Sequence, residues 1–258
     1  MRINTLIGAM SVALAMTGLV QAADWGDLTI QFQLSGKAPA AKAIKADKDV
    51  EVCGKHKLVD ESLVVGPNGG IANVFVYLKS EKPVAVHPDY EKASSTEVVL
   101  DNKGCRFEPQ AAFLWTKQTL LLKNSDPVGH NTKIEFLSNP PINPILPANG
   151  ALKQTVKKEE RMPTSVSCSI HPWMQALVLV RENPYGGVTN EEGKLTIKNV
   201  PAGKWQFAVW HKRTGWIREA SDASGKAVKW PKTGPEFTVK AGGTDLGVFK
   251  IDAGAFKE

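Results

Sequence analysis

Apolar and polar positions alternate along much of this chain. In residues 28–34, Leu28, Ile30, Phe32 and Leu34 are separated by Thr29, Gln31 and Gln33, and Ser35-Gly36 closes the run. A period of two ending in a turn predicts a strand with one buried face. Residues 71–78 are β-branched and aromatic, entered through Asn68-Gly69-Gly70, and read as a mostly buried strand. Residues 119–122 and 178–180 are short apolar strands. Residues 194–198 alternate, the turn Pro201-Ala202-Gly203 leads into a strand over 205–210, and 236–239 and 246–251 supply closing strands. Residues 37–66 hold no helical period and read as loop. Residues 139–147 carry four prolines in nine positions, which excludes a regular helix or a central strand and reads as a loop. The expected class is all-β.

The first 22 residues break this pattern. Arg2 is a short positive start, residues 6–20 are apolar, and Val20-Gln21-Ala22 is a small-residue cleavage site, the build of a secretory signal. The other reading is a retained anchor, because residues 5–23 carry no charge and a helical span needs about 20 apolar residues. No later stretch is long and apolar enough to span a bilayer, so no stable membrane span is expected after cleavage. Export places the protein in an oxidising compartment such as a periplasm. The length suggests two domains beyond the leader.

The net charge of +6 is spread thinly. Its densest run, Lys157-Lys158-Glu159-Glu160-Arg161, cancels much of its own charge and reads as a solvated face. No nucleic-acid partner is implied. Three cysteines in an exported chain leave one unpaired. Cys53 and Cys105 are candidates for a disulfide. The rival assignment makes Cys53 a thiolate that, with His56, forms half of a second metal site.

Cys168-Ser169-Ile170-His171-Pro172-Trp173-Met174 sets a thiol, an imidazole and a thioether at C-x2-H-x2-M spacing. Soft sulfur with imidazole nitrogen selects copper over cations that seek oxygen. A fourth ligand is available upstream in His130, within the Gly/Pro-broken turn that follows residues 119–122. Of the remaining histidines, His56 and His87 read as surface residues. His211, between aromatic residues, is either suggestive or ordinary strand-end polarity.

These residues resemble the cupredoxin family, and the loop is similar to the short ligand loop of its amicyanin and pseudoazurin branch. The likeness extends over roughly residues 97–181. It implies a Greek-key β-sandwich holding one type 1 copper per chain on His130, Cys168, His171 and Met174. It also implies that Asn131 locks the cysteine loop and that His171 is the solvent-edge ligand and electron port. Pro172 would stiffen the loop, and Trp173 would cover the site or offer a landing for a partner. The Pro-rich segment would either present Ile142, Ile145 and Leu146 for docking or serve as a rigid crossover. A second likeness joins Val188-Thr189-Asn190 and Gly193-Lys194-Leu195 to the carboxypeptidase regulatory-like, transthyretin-like β-sandwich family, which implies a second small β-sandwich without catalytic residues.

The expected organisation is a signal over 1–22, a β-rich segment over 23–94, a copper domain over 95–181 and a second sandwich over 182–258. The early strands either complete that second sandwich, with Phe75 meeting the strand over 205–210, or extend the copper domain. Three functions compete. One is single-electron transfer with a redox partner protein, without catalysis. Another is copper storage or delivery. The third is an envelope β module binding carbohydrate or protein, with which the seven tryptophans are compatible.

Overall fold

The computed structural model describes residues 24–256; the leader read in residues 1–22 lies outside them. Strands make up nearly all the regular structure, with short helices at Val50–Cys53 and Asp89–Ser94.

Two sandwiches share the chain. In one, Trp25–Ser35 lies between Lys194–Pro201 and Thr244–Asp252, and the sheet continues through Glu219–Ser221 and Ala227–Lys229. Facing it is a sheet ordered Gly186–Val188, Phe75–Lys79, Gly203–His211, Gly215–Trp216, with Glu236–Val239 also paired to Gly203–His211. The period-two pattern of residues 28–34 is realised directly: Leu28, Ile30 and Phe32 are buried and the residues between them are half-exposed. The apolar run at 71–78 forms a strand only from Phe75. Asn73, at φ 63°, turns the backbone out of the extended region before that point. Phe75 is paired with Trp210, their ring centroids 6.0 Å apart. The early and late parts of the chain therefore build one sandwich, and residues 97–181 leave it and return.

That intervening segment forms the other sandwich. One sheet runs Ala151–Gln154, Thr119–Asn124, Glu97–Asn102, Phe107–Glu108, and the other Ala111–Trp115, Gln175–Arg181, Thr164–Ser167, Lys133–Ile134. Gln175–Arg181 is buried along almost its whole length, as a continuous apolar run should be. Ala176, Val178 and Val180 face the core of this sandwich. Leu177 and Leu179 face a second cluster shared with Phe75, Tyr77, Ala208 and Trp210 of the other sandwich.

Two readings need correction. The charged run at 157–161 is not simply a solvated face. Glu160 is fully buried and accepts hydrogen bonds from the backbone N–H of Leu137 and Ser138 and from Asn139 Nδ2. The Pro-rich segment is not all loop, since Ile145–Leu146 pairs with His130–Asn131. Prolines flank that short ladder at positions 144 and 147 without occupying it.

Candidate metal centre

His130 leaves the strand Thr119–Asn124 through a turn built by side chains. Asn124 Nδ2 donates to the carbonyls of Val128, Leu146 and Pro147. Its Oδ1 accepts from Asp126 N. Cys168 follows Thr164–Ser167, and Met174 immediately precedes Gln175–Arg181. The loop between these two paired strands is thus short and held at both ends. Met174 N donates to His171 O, and Cys168 N to Met174 O.

These elements bring three donors together. Cys168 Sγ lies 3.9 Å from His130 Nδ1 and 3.8 Å from His171 Nδ1, and the three atoms are all within 4.8 Å of one another. A metal bound to sulfur at about 2.3 Å and to nitrogen at about 2.0 Å, with an angle near 120°, separates those donors by about 3.7 Å. The spacing fits a shared ion. Met174 is buried in the same core cluster as Cys168.

The outer ring nitrogens decide which face each imidazole presents. His130 Nε2 is 3.0 Å from Asp126 Oδ2 and His171 Nε2 is 2.8 Å from Asp49 Oδ2. A carboxylate accepting at Nε2–H leaves Nδ1 as the ring atom that faces the sulfur and that a metal would bind once it carries no proton. Asp126 also accepts from the backbone N–H of Gly104 and Cys105. Both residues have positive φ, 66° and 55°, which aims two consecutive N–H groups at one anion. Burial alone would raise the Asp126 pKa, but His130 and these two N–H donors hold it below the usual range.

The thiol responds to the same field. Burial opposes ionisation, yet hydrogen bonds from His130 and from the backbone at Asn131 and His171 bring Cys168 down to about 6. His130 is pushed up to about 9: burial disfavours its charge, and Asp126 and Cys168 more than offset that. A thiolate is therefore available at neutral pH, the form that binds metal.

Asn131 Oδ1 accepts from Ser169 N at 2.7 Å and Ile170 N at 3.3 Å, and lies 3.3 Å from Cys168 Sγ. Its Nδ2 donates to Asn143 Oδ1, so one side chain ties the cysteine loop to the Pro-rich segment. Pro172 is exposed. Trp173 is half-buried and sets its ring edge-on to His171 at 5.2 Å, while its Nε1 donates to Cys105 O. Ile145 projects into solvent at 74% exposure, whereas Leu146 is buried and Ile142 packs on the core. Cys53 and Cys105 are joined as a disulfide with Cα atoms 5.4 Å apart, which removes Cys53 as a thiolate partner for His56.

One implication of the family likeness fails. His171 is 0% exposed and is not a solvent-edge ligand, because Asp49 and Trp173 close its outer side.

Searches for similar proteins returned only structural neighbours. No protein-family model matches the chain, and no curated protein does. A copper-containing nitrite reductase from Thermus scotoductus SA-01 is 21% identical over 41% of this chain and 25% of its own, with a TM-score of 0.31. A purple cupredoxin from Nitrosopumilus maritimus is 22% identical over 34% of this chain and 100% of its own, at 0.28. A Cu(I) amicyanin variant is 18% identical over 41% of this chain and 98% of its own, at 0.30. This chain spans only a quarter of the nitrite reductase's length. With likenesses this partial, the reading of the site rests on its own side chains.

Sequence reasoning missed both carboxylates. Asp126 carried a signal, standing four residues before His130 in the same polar turn. Asp49 carried none, since 122 residues separate it from His171.

Proposed function

We propose that this is an exported mononuclear copper protein that passes single electrons through a site formed by His130, Cys168, His171 and Met174. One observation carries the reading: two imidazole Nδ1 atoms converge on one buried sulfur at metal-bridging spacing, each with its Nε2 held by a carboxylate. Soft sulfur with imidazole suits copper, and a thioether is a poor ligand for zinc. Bound copper would supply a one-electron couple, with Cys168 as the covalent thiolate, both histidines as neutral donors and Met174 as the weak fourth ligand.

The chain's own part is to hold this donor set rigid and dry. Cys168, His130, His171 and Met174 are each at most 1% exposed. Asn131, Asp126 and Asp49 fix the loops and ring orientations, so the donors need little rearrangement when the oxidation state changes. Cys168, His130 and Asp126 also line up as a nucleophile, a base and an orienting acid would. The buried sulfur and the second imidazole aimed at it speak against substrate attack. We read the chain as a carrier rather than an enzyme, acting with a redox partner protein outside the cytoplasm. The disulfide supports an oxidising compartment, and among the described residues no helix is long and apolar enough to cross a membrane.

Titration of residues 23–258 with Cu(II), followed by visible and EPR spectra, tests the proposal. An intense thiolate-to-copper band saturating at one copper per chain and absent from Cys168→Ser supports it. A colourless protein, or a band that survives loss of Cys168, overturns it.

A further inference from the structure

Nothing in the ligand motif calls for residues 43–62, yet they lie over it. Asp49 opens the helix Val50–Cys53 with φ 45° and ψ 46° and makes no side-chain hydrogen bond to that helix. An aspartate before a helix ordinarily accepts from the helix's first N–H groups. Here the carboxylate turns to His171 Nε2 at 2.8 Å instead. The outcome is visible in the loop itself: Ile170 and Pro172 are exposed, and His171 between them is not.

The segment is anchored at several points. Its base is closed by Ile44 N donating to Leu58 O and Asp60 N to Lys42 O. Glu61 meets Arg106 and Gln110, and Ser62 accepts from Arg213 Nε. Ala46, Cys53, Leu58 and Cys105 form a small core of their own, with Trp173 packed against it. The disulfide joins the segment to Cys105. The Cys105 carbonyl accepts from Trp173 in the cysteine loop, and its N–H donates to Asp126, the partner of His130. One covalent bond thus ties residues 43–62 to both ligand-bearing loops.

We propose that residues 43–62 are a disulfide-anchored cover in which Asp49 is a positioning residue, orienting His171 and, together with Trp173, closing the outer side of its ring. The cover makes the centre slow to exchange metal and shields the thiol. Its metal-retaining role rests on the copper reading above; the shielding of Cys168 does not.

The test begins on metal-free protein. Iodoacetamide modification of Cys168 is timed at neutral pH in wild type, Asp49→Ala, Asp49→Asn and the double variant Cys53→Ser/Cys105→Ser. Asp49→Ala should react about tenfold faster than wild type, the double variant faster still, as local opening becomes easier. Asp49→Asn, whose amide oxygen still accepts from Nε2–H, should stay near wild type. Cu(II)-loaded forms should lose metal to EDTA in the same order, with an altered thiolate band in Asp49→Ala restored in Asp49→Asn. If no variant forms that band, the copper reading fails and the alkylation order still judges the cover. Equal alkylation rates in wild type and Asp49→Ala overturn the cover whether or not copper binds. Should the double variant fail to fold, Asp49→Ala alone decides.

Discussion

At the scale of single residues, the groups that matter most are the buried ones whose partners are all accounted for. Asp126 satisfies three donors, Gly104 N, Cys105 N and His130 Nε2. Asp126→Ala strands all three inside the protein. A single lost bond to a charged group costs about 1.5–3 kcal/mol, and the three share one acceptor, so a loss of about 3 kcal/mol is expected in urea unfolding of the metal-free protein. A loss below 1 kcal/mol would mean that water replaces the carboxylate. His211 presents the opposite case. It is 1% exposed, and its Nε2 has no partner. Burial, with Arg213 and Lys212 nearby, drops its pKa to about 4. The unfolded chain, near 6.5, binds the proton more readily, so stability present above that value is lost as pH falls through the window toward 4. Between pH 7 and 4.5 the wild type should lose about 2 kcal/mol more than His211→Leu. Both proteins share every other titrating group, so parallel pH profiles would exclude a neutral, buried His211. The C-x2-H-x2-M spacing made the donor set legible in the sequence. Of the residues that hold those donors, Asn131 was named through the family likeness, Asp126 stood close enough in the chain to be read but was missed, and Asp49 lay out of reach.

At the scale of elements, strands declared themselves wherever one face met a core and the other met solvent, as in Trp25–Ser35. Two elements did not. The early end of the 71–78 run looked like strand because Ile71, Ala72 and Val74 are buried. Burial does not require extended backbone, though, and Asn73 breaks the ladder. The run at 157–161 looked solvated because its charges cancel on paper. Glu160 is instead the acceptor around which residues 137–139 fold. Composition cannot reveal a carboxylate whose partners are backbone N–H groups more than twenty positions away. Glu160→Ala should therefore loosen the 137–139 turn and, through Asn139, its contact with Lys157 and Lys158. The expected loss is about 1.5–3 kcal/mol, the scale of hydrogen bonds to a charged group. Faster amide hydrogen exchange should be confined to residues 137–139 and 157–160. Exchange rising evenly across the whole chain would instead mean that Glu160 supports global stability only.

At the scale of the molecule, the arrangement turns on Gln175–Arg181, the strand that leads directly out of the ligand loop. Its alternate side chains serve two cores, Val178 and Val180 in one and Leu177 and Leu179 in the other, so the loop that carries Met174 is mounted on the seam between the sandwiches. Arg181 reinforces the seam, lying over the Tyr77 ring at 4.9 Å and donating to Leu78 O and Glu160 O. The Tyr77 hydroxyl donates to Arg161 O. A seam of this kind, apolar within and hydrogen-bonded at its edge, makes independent melting of the halves costly, because opening it exposes Phe75, Tyr77, Leu177, Leu179 and Trp210 together. Metal-free protein should accordingly unfold in one calorimetric transition whose van't Hoff and calorimetric enthalpies agree. Leu179→Ala, which opens a cavity at the seam, should cost about 2–5 kcal/mol and lower that single transition without splitting it. Two resolved transitions in the wild type would show that the sandwiches fold independently, and that the second sandwich does not brace the ligand loop.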